Sequence, residues 1–160
     1  MTKLPKPHHY KKPRKVAMSK VTNRVQIEGE DEGLTGFVQE QEASDIEERY
    51  ARSLTKNDNV DRFSFREHYF GPARNTPGAR EVDFMVLSGG SWWPDQIDGE
   101  IGHKSAAQKA RDRISDAVLN QYLSQYGVNP VRRIPDGVNY LMDALDTQES
   151  ADQIVEELYG

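Results

Sequence analysis

Asp83, Gln96 and Asp98 are the residues whose types and spacing could do chemistry. All three lie in "VDFMVLSGGSWWPDQIDGEIGHKS", where an apolar strand pattern is interrupted by acidic and amide side chains. On a strand, side chains two apart share a face, so Gln96 and Asp98 point the same way while Ile97 enters the opposite layer. If the turn in "VLSGGSWWPD" folds the strand carrying Asp83 back against the strand carrying Gln96 and Asp98, three oxygen-bearing side chains converge at one sheet edge. Such oxygens, the Ile97 carbonyl and water suit a hard cation such as magnesium, with manganese as its substitute. A magnesium ion held there would lower the pKa of a bound water and neutralise charge on a scissile phosphate, which is phosphodiesterase chemistry.

Each residue has a plainer use beside the chemical one. Asp83, in a strand apolar on both parities, needs either a job or a partner, and a salt bridge to Arg80 or Arg111 would supply the latter. Asp98 before Gly99 has the form of a turn, and Gln96 that of an edge-strand polar residue. His103 is a candidate proton carrier or an exposed loop residue, and Glu100 a candidate ligand or a solvent-facing acid. Lys104 and Arg111 could meet phosphate, or belong with Lys109, Asp112, Arg113 and Asp116 to a solvated charged helix face. Trp92 and Trp93 either stack on a base or pack at the hairpin tip.

The elements that must hold these residues are legible in the periodicities. Ser44 followed by Glu47 has capping-box spacing, and Ile46, Tyr50, Ala51 and Leu54 recur at helical intervals. "VDRFSFREHYF" alternates, with Phe63, Phe65 and Tyr69 expected on one side and Arg62, Ser64, Arg66 and His68 on the other. "AREVDFMVL" is apolar on both parities, as a central strand is. A turn leads to the short strand "WPDQID", and a long helix over residues 105–125 carries the expected apolar stripe Ala107, Ala110, Ile114, Val118 and Tyr122. "VNPVRRI" reads as a last strand, pushed to a sheet edge by Pro130, and "VNYLMDAL" and "SADQIVEELY" as two further helices. The class is α/β with a mixed sheet. Tight turns require antiparallel neighbours, and the long helix allows a parallel crossover.

Charge divides the chain. The first 24 residues hold eight Lys and Arg and no Asp or Glu, leaving 13 basic against 26 acidic residues in the remainder. A proline-punctuated cationic arm on an acidic body suits phosphate or an acidic protein surface; a solubilising tail is the plainer use. The expected organisation is an extended arm and acidic linker over residues 1–40, a core over 44–135 and a C-terminal helical extension over 136–160. Cysteine is absent, which removes disulfides and thiolate chemistry. No apolar run approaches the roughly 20 residues of a membrane span. The expected location is the cytoplasm or a virion.

"VDF", then "QIDGEIGH" after a hairpin, then "AQKARDRISDAVL" resemble the PD-(D/E)XK nuclease superfamily, close to the branch related to very short patch repair endonucleases, over residues 44–134. The resemblance implies an αβββαβ restriction-endonuclease-like core and a magnesium-dependent DNA endonuclease. It makes Asp83 similar to the metal-binding aspartate, puts Gln96 at the (D/E) position and Asp98 where lysine is usual. Asp98, Gly99 and His103 fit the branch pattern of Glu, any residue, Asp, Gly and a later His, whereas Gln96 departs from it. Glu47 falls where relatives place an extra acidic residue facing the metal. Lys104, Gln108 and Arg111 are the groups to replace the missing lysine. A neutral amide removes one unit of charge from the metal site, and some members of the superfamily have lost catalysis and serve as binding modules. The alternative is therefore a catalytically inactive subunit of a phage particle or nucleoprotein assembly, meeting DNA or protein partners through its arm.

Overall fold

The computed structural model describes residues 33–70, 78–98, 105–134, 145 and 147–160. These form β1 (Phe37–Val38), β2 (Gln41–Glu42), α1 (Asp45–Lys56), β3 (Val60–Tyr69), β4 (Arg80–Ser88), β5 (Ser91–Ile97), α2 (Ala106–Ser124), β6 (Arg132–Ile134) and α3 (Gln148–Tyr159). The main sheet has the order β3-β4-β5-β6, antiparallel at its first two pairings and parallel at the last. The class is thus α/β with a mixed four-stranded sheet. Among the described residues no helix is long and apolar enough to cross a membrane.

Local chemistry accounts for the element boundaries. The Ser44 Oγ accepts the Glu47 N–H, and the Glu47 carboxylate accepts the Ser44 N–H at 2.9 Å, closing the capping box that starts α1. Ser88 pairs with Ser91 across Gly89 and Gly90, at φ 61° and 79°, in the two-residue turn whose twist matches paired strands. The Ser105 Oγ accepts the Gln108 N–H at 3.1 Å and starts α2. β6 is an edge strand, as Pro130 suggested.

Helices cover both faces of the sheet. Phe63, Phe65, Phe84 and Val86 pack with Tyr50, Ala51 and Leu54 of α1 and with Ala151, Ile154 and Val155 of α3. Tyr69, Val82, Met85, Leu87 and Trp92 pack with Leu119 and Leu123 of α2. Tyr69 therefore lies in the opposite layer from Phe63 and Phe65, contrary to simple alternation. The cause is Arg66, at φ 58°, a left-handed turn within β3. Partners run Phe65 with Phe84 and then Glu67 with Val82, so the register is unbroken while both strands exchange faces at Arg66 and Asp83.

Three expectations need correcting. Residues 33–42 are packed on the core: Val38 is fully buried, and the Glu48 carboxylate accepts the N–H groups of Thr35 and Gly36 at 2.8 and 2.7 Å. α3, placed in an extension outside the core, contributes three of its buried residues. The stripe assigned to α2 faces the wrong way, with Ile114 62% and Val118 36% exposed. The inward face is instead Leu119 and Leu123, with Asp112 and Asp116 turned toward Arg133 of β6. A half-buried cation on β6 draws the acidic face of the helix inward. The helix expected at "VNYLMDAL" lies outside the described residues except for Leu145.

Candidate active site

Asp83 occupies the point where β4 and β5 stop pairing. Their ladder ends at Phe84 and Asp95, and beyond it side chains take over from backbone. The Asp83 N–H donates to Gln96 Oε1 at 2.8 Å, Gln96 Nε2 donates to the Glu81 carbonyl at 2.8 Å, and the Ile97 N–H donates to the Asp83 carboxylate at 2.8 Å. The amide of Gln96 thus clamps two diverging strands and is itself buried. A glutamine fits here because one group must accept from one strand position and donate to another.

Asp83 is half-buried. Burial pushes its carboxyl up to about 7; the Ile97 N–H and Arg66 work against that shift, while repulsion from Glu47 and Glu81 adds to it. Glu47 reaches this place from the first turn of α1, where it caps the helix and pairs with Arg66 at 3.3 Å. Glu81 pairs with His68 at 3.0 Å. Arg66, His68 and Glu81 were missed as neighbours of the site; the "EVD" spacing of Glu81 and Asp83 was the visible signal, whereas the left-handed Arg66 had none. The expected partners of Asp83 are elsewhere: Arg80 donates to the Gly78 and Ala79 carbonyls.

Asp98 does not join Asp83. Its carboxylate accepts from Arg133 Nη1 at 2.8 Å, and the same guanidinium meets Asp116 at 2.6 Å and Asp112 at 3.7 Å. Although burial opposes its charge, hydrogen bonds to Asp116 and Asp98 hold Arg133 above the ordinary arginine range. His103, Lys104 and Glu100 lie outside the described residues. Arg111 is exposed on α2 and lines an open cleft of about 380 Å³ together with Arg80, Glu81 and Ile114. Trp92 is buried with the α2 layer, and Trp93 packs in the α1 layer with the Arg132 guanidinium 4.2 Å above its ring. Packing therefore accounts for both tryptophans.

A second polar cluster went unread. Asp95 is fully buried between Tyr50 at 2.6 Å, Tyr159, and Arg132 at 2.9 Å. Burial raises its pKa, opposed by the Arg132 charge and by hydrogen bonds from all three partners. Since it ties α1, β5, β6 and α3 together, its role is to join elements.

Among the described residues no three His, Asp or Glu side chains are grouped to hold a metal ion. The fit to magnesium is limited to the Asp83 carboxylate and the one Glu47 oxygen not already given to Ser44 and Arg66; a cation would relieve the repulsion between the two carboxylates, with water completing the shell. Gln96 and Asp98 are already engaged with the backbone and with Arg133. Compared with known proteins, the chain matches no family model, no curated protein and no solved structure.

Proposed function

We propose that the chain is a magnesium-dependent DNA endonuclease with a restriction-endonuclease-like core, hydrolysing phosphodiester bonds at Asp83. The observation that carries this reading is the Asp83 carboxylate, held where two strands part and pushed into the neutral range beside a second carboxylate. Perturbed carboxylates of this kind cluster at functional sites. Asp83 and Glu47 would hold the ion, which when bound supplies charge neutralisation and an acidified water. Gln96 fixes the Asp83 backbone and Ile97 its carboxylate, so the anchor is oriented before a ligand arrives.

Calorimetric titration of magnesium and manganese, run beside a plasmid-nicking assay, tests this. Saturable binding and nicking are expected, and both should vanish in Asp83→Ala; nicking that survives the substitution sinks the assignment.

One observation favours a second function, a binding subunit that keeps the fold without the chemistry. Gln96 spends its amide on backbone, and Arg133 neutralises Asp98. In that case neither metal binding nor nicking is detected, Asp83→Ala changes nothing, and removal of residues 1–32 abolishes association with DNA or a protein partner. The cut falls after Glu32 because Thr35 and Gly36 are clipped to Glu48.

A further inference from the structure

α2 departs from an ordinary surface helix, which turns charge outward and apolar residues inward: beside the buried Leu119 and Leu123 its acids turn inward, and its exposed face carries an uncharged strip. At 3.6 residues per turn, Ala110, Ile114, Ala117, Val118, Gln121 and Gln125 fall in the sector opposite the buried Leu119 and Leu123. No charged residue lies in that sector from Ala107 to Gln125. Cations border it along the N-terminal half only, with Arg111 on one flank and Lys109 and Arg113 on the other, all exposed. The acids of the helix, Asp112 and Asp116, are turned to Arg133. Its first turn has no acidic residue and its last no basic one, so its own charges oppose its dipole. At the C-terminal end the strip widens into exposed Phe70 and Tyr126, with Tyr122 between them at ring distances of 4.8 and 5.8 Å.

We propose that α2 is the seam of a homodimer, in which two copies of this chain pair these helices antiparallel about a two-fold axis. Charge complementarity selects both the occupant and the direction. An antiparallel two-fold pairing sets each flank against the same flank of the other copy, reversed. Arg111 then meets the partner's Tyr122 and Gln125, where aromatic faces and amide oxygens accept a cation. Lys109 and Arg113 meet the partner's Ser124 and the carbonyl end of its helix, which favours positive charge. Parallel pairing would instead bring six cations together. Ala110 and Ala117 allow close approach of the two backbones, with Ile114 of each copy against Val118 of the other.

The pairing does not depend on nuclease activity, and an Asp83→Ala chain should dimerise equally well. A single helix seam is smaller than the ~800 Å² per partner of a stable interface, so a dissociation constant of roughly 10–100 µM is expected. Sedimentation velocity on the full chain from about 1 to about 500 µM reads it. Ile114→Glu should weaken the dimer at least ~30-fold with an unchanged thermal midpoint, since an exposed position carries little stability. A chain that stays monomeric throughout, or a dimer that survives Ile114→Glu, overturns the proposal. Direction is read by oxidative cross-linking, because the chain has no cysteine of its own. Ala107→Cys and Gln125→Cys chains should cross-link when mixed and not when alone, since identical positions would lie about 27 Å apart. Cross-linking of Ala107→Cys to itself overturns the antiparallel arrangement. A monomer whose Gln125→Cys thiol is shielded only by added oligonucleotide would assign the strip to nucleic acid and also overturn the proposal.

Discussion

A carboxyl pushed to about 7 makes Asp83 a pH-dependent liability when no cation is bound. Its ordinary value is 3.8, so below about 4 the group is protonated in both folded and unfolded chains and costs nothing. Between there and 7 the folded chain keeps a proton that the unfolded chain gives up, and stability falls as pH rises. The full cost, at most about 4 kcal/mol, is present at pH 8. Asp83→Asn should flatten this slope and stabilise the chelator-treated protein at pH 8 more than at pH 5. Urea denaturation at the two pH values reads both; a variant no more stable than wild type at pH 8 would mean that the carboxylate is better solvated than its surroundings indicate. The residue itself was legible, because an acid in a strand apolar on both parities stands out. The role of Gln96 was not. Its two hydrogen bonds to backbone exist only because β4 and β5 splay, and no local pattern encodes a splay.

Strand and helix identities follow from periodicity, but the faces do not. The alternation of β3 predicts Tyr69 beside Phe65, and a single left-handed residue sends it to the other layer. The stripe of α2 predicts burial of Ile114, whereas Arg133, distant in sequence, draws Asp112 and Asp116 inward instead. The short β1–β2 hairpin has the sequence of a linker because its work is done by side chains. β3 is the edge of the sheet, and an open edge invites pairing with other chains. Gln39 donates to the Phe63 carbonyl at 2.9 Å and accepts the Phe65 N–H at 2.8 Å, and Gln41 donates to the Phe65 carbonyl at 2.9 Å. Two amides thus occupy the edge as a further strand would. Gln39→Ala frees one donor and one acceptor there and should cost about 1–2 kcal/mol. Light scattering should also show aggregation setting in at lower protein concentration, whereas unchanged stability and scattering would mean that solvent satisfies the edge equally well.

At the scale of the whole molecule, the buried Asp95 decides whether the helices and the sheet unfold as one. Tyr50 comes from α1, Arg132 from β6 and Tyr159 from the end of α3, so three elements converge on one carboxylate of β5. Arg132 also donates to the Tyr159 hydroxyl at 2.6 Å and lies over the rings of Trp93 and Tyr159. Neutralising the carboxylate leaves that half-buried guanidinium without its counter-charge and three donors without their acceptor. Because Arg132 keeps contact with solvent and burial already raises the Asp95 pKa, the cost falls at or below the lower end of the ~3–5 kcal/mol of a fully buried pair. Tyr159→Phe removes one hydroxyl that bonds both partners while leaving the ion pair in place, and should cost about 1–3 kcal/mol. Asp95→Asn should therefore be the more damaging change in a denaturant titration. The two should also differ in kind. Without the Tyr159 hydroxyl, the amides of Ala151, Ile154 and Val155 should exchange faster than those of β4, because α3 keeps its apolar contacts with α1 but loses its polar tie to the sheet. If exchange in α3 and β4 accelerates equally, the helix is bound to the sheet by its apolar face alone, and the network serves only to neutralise a buried charge.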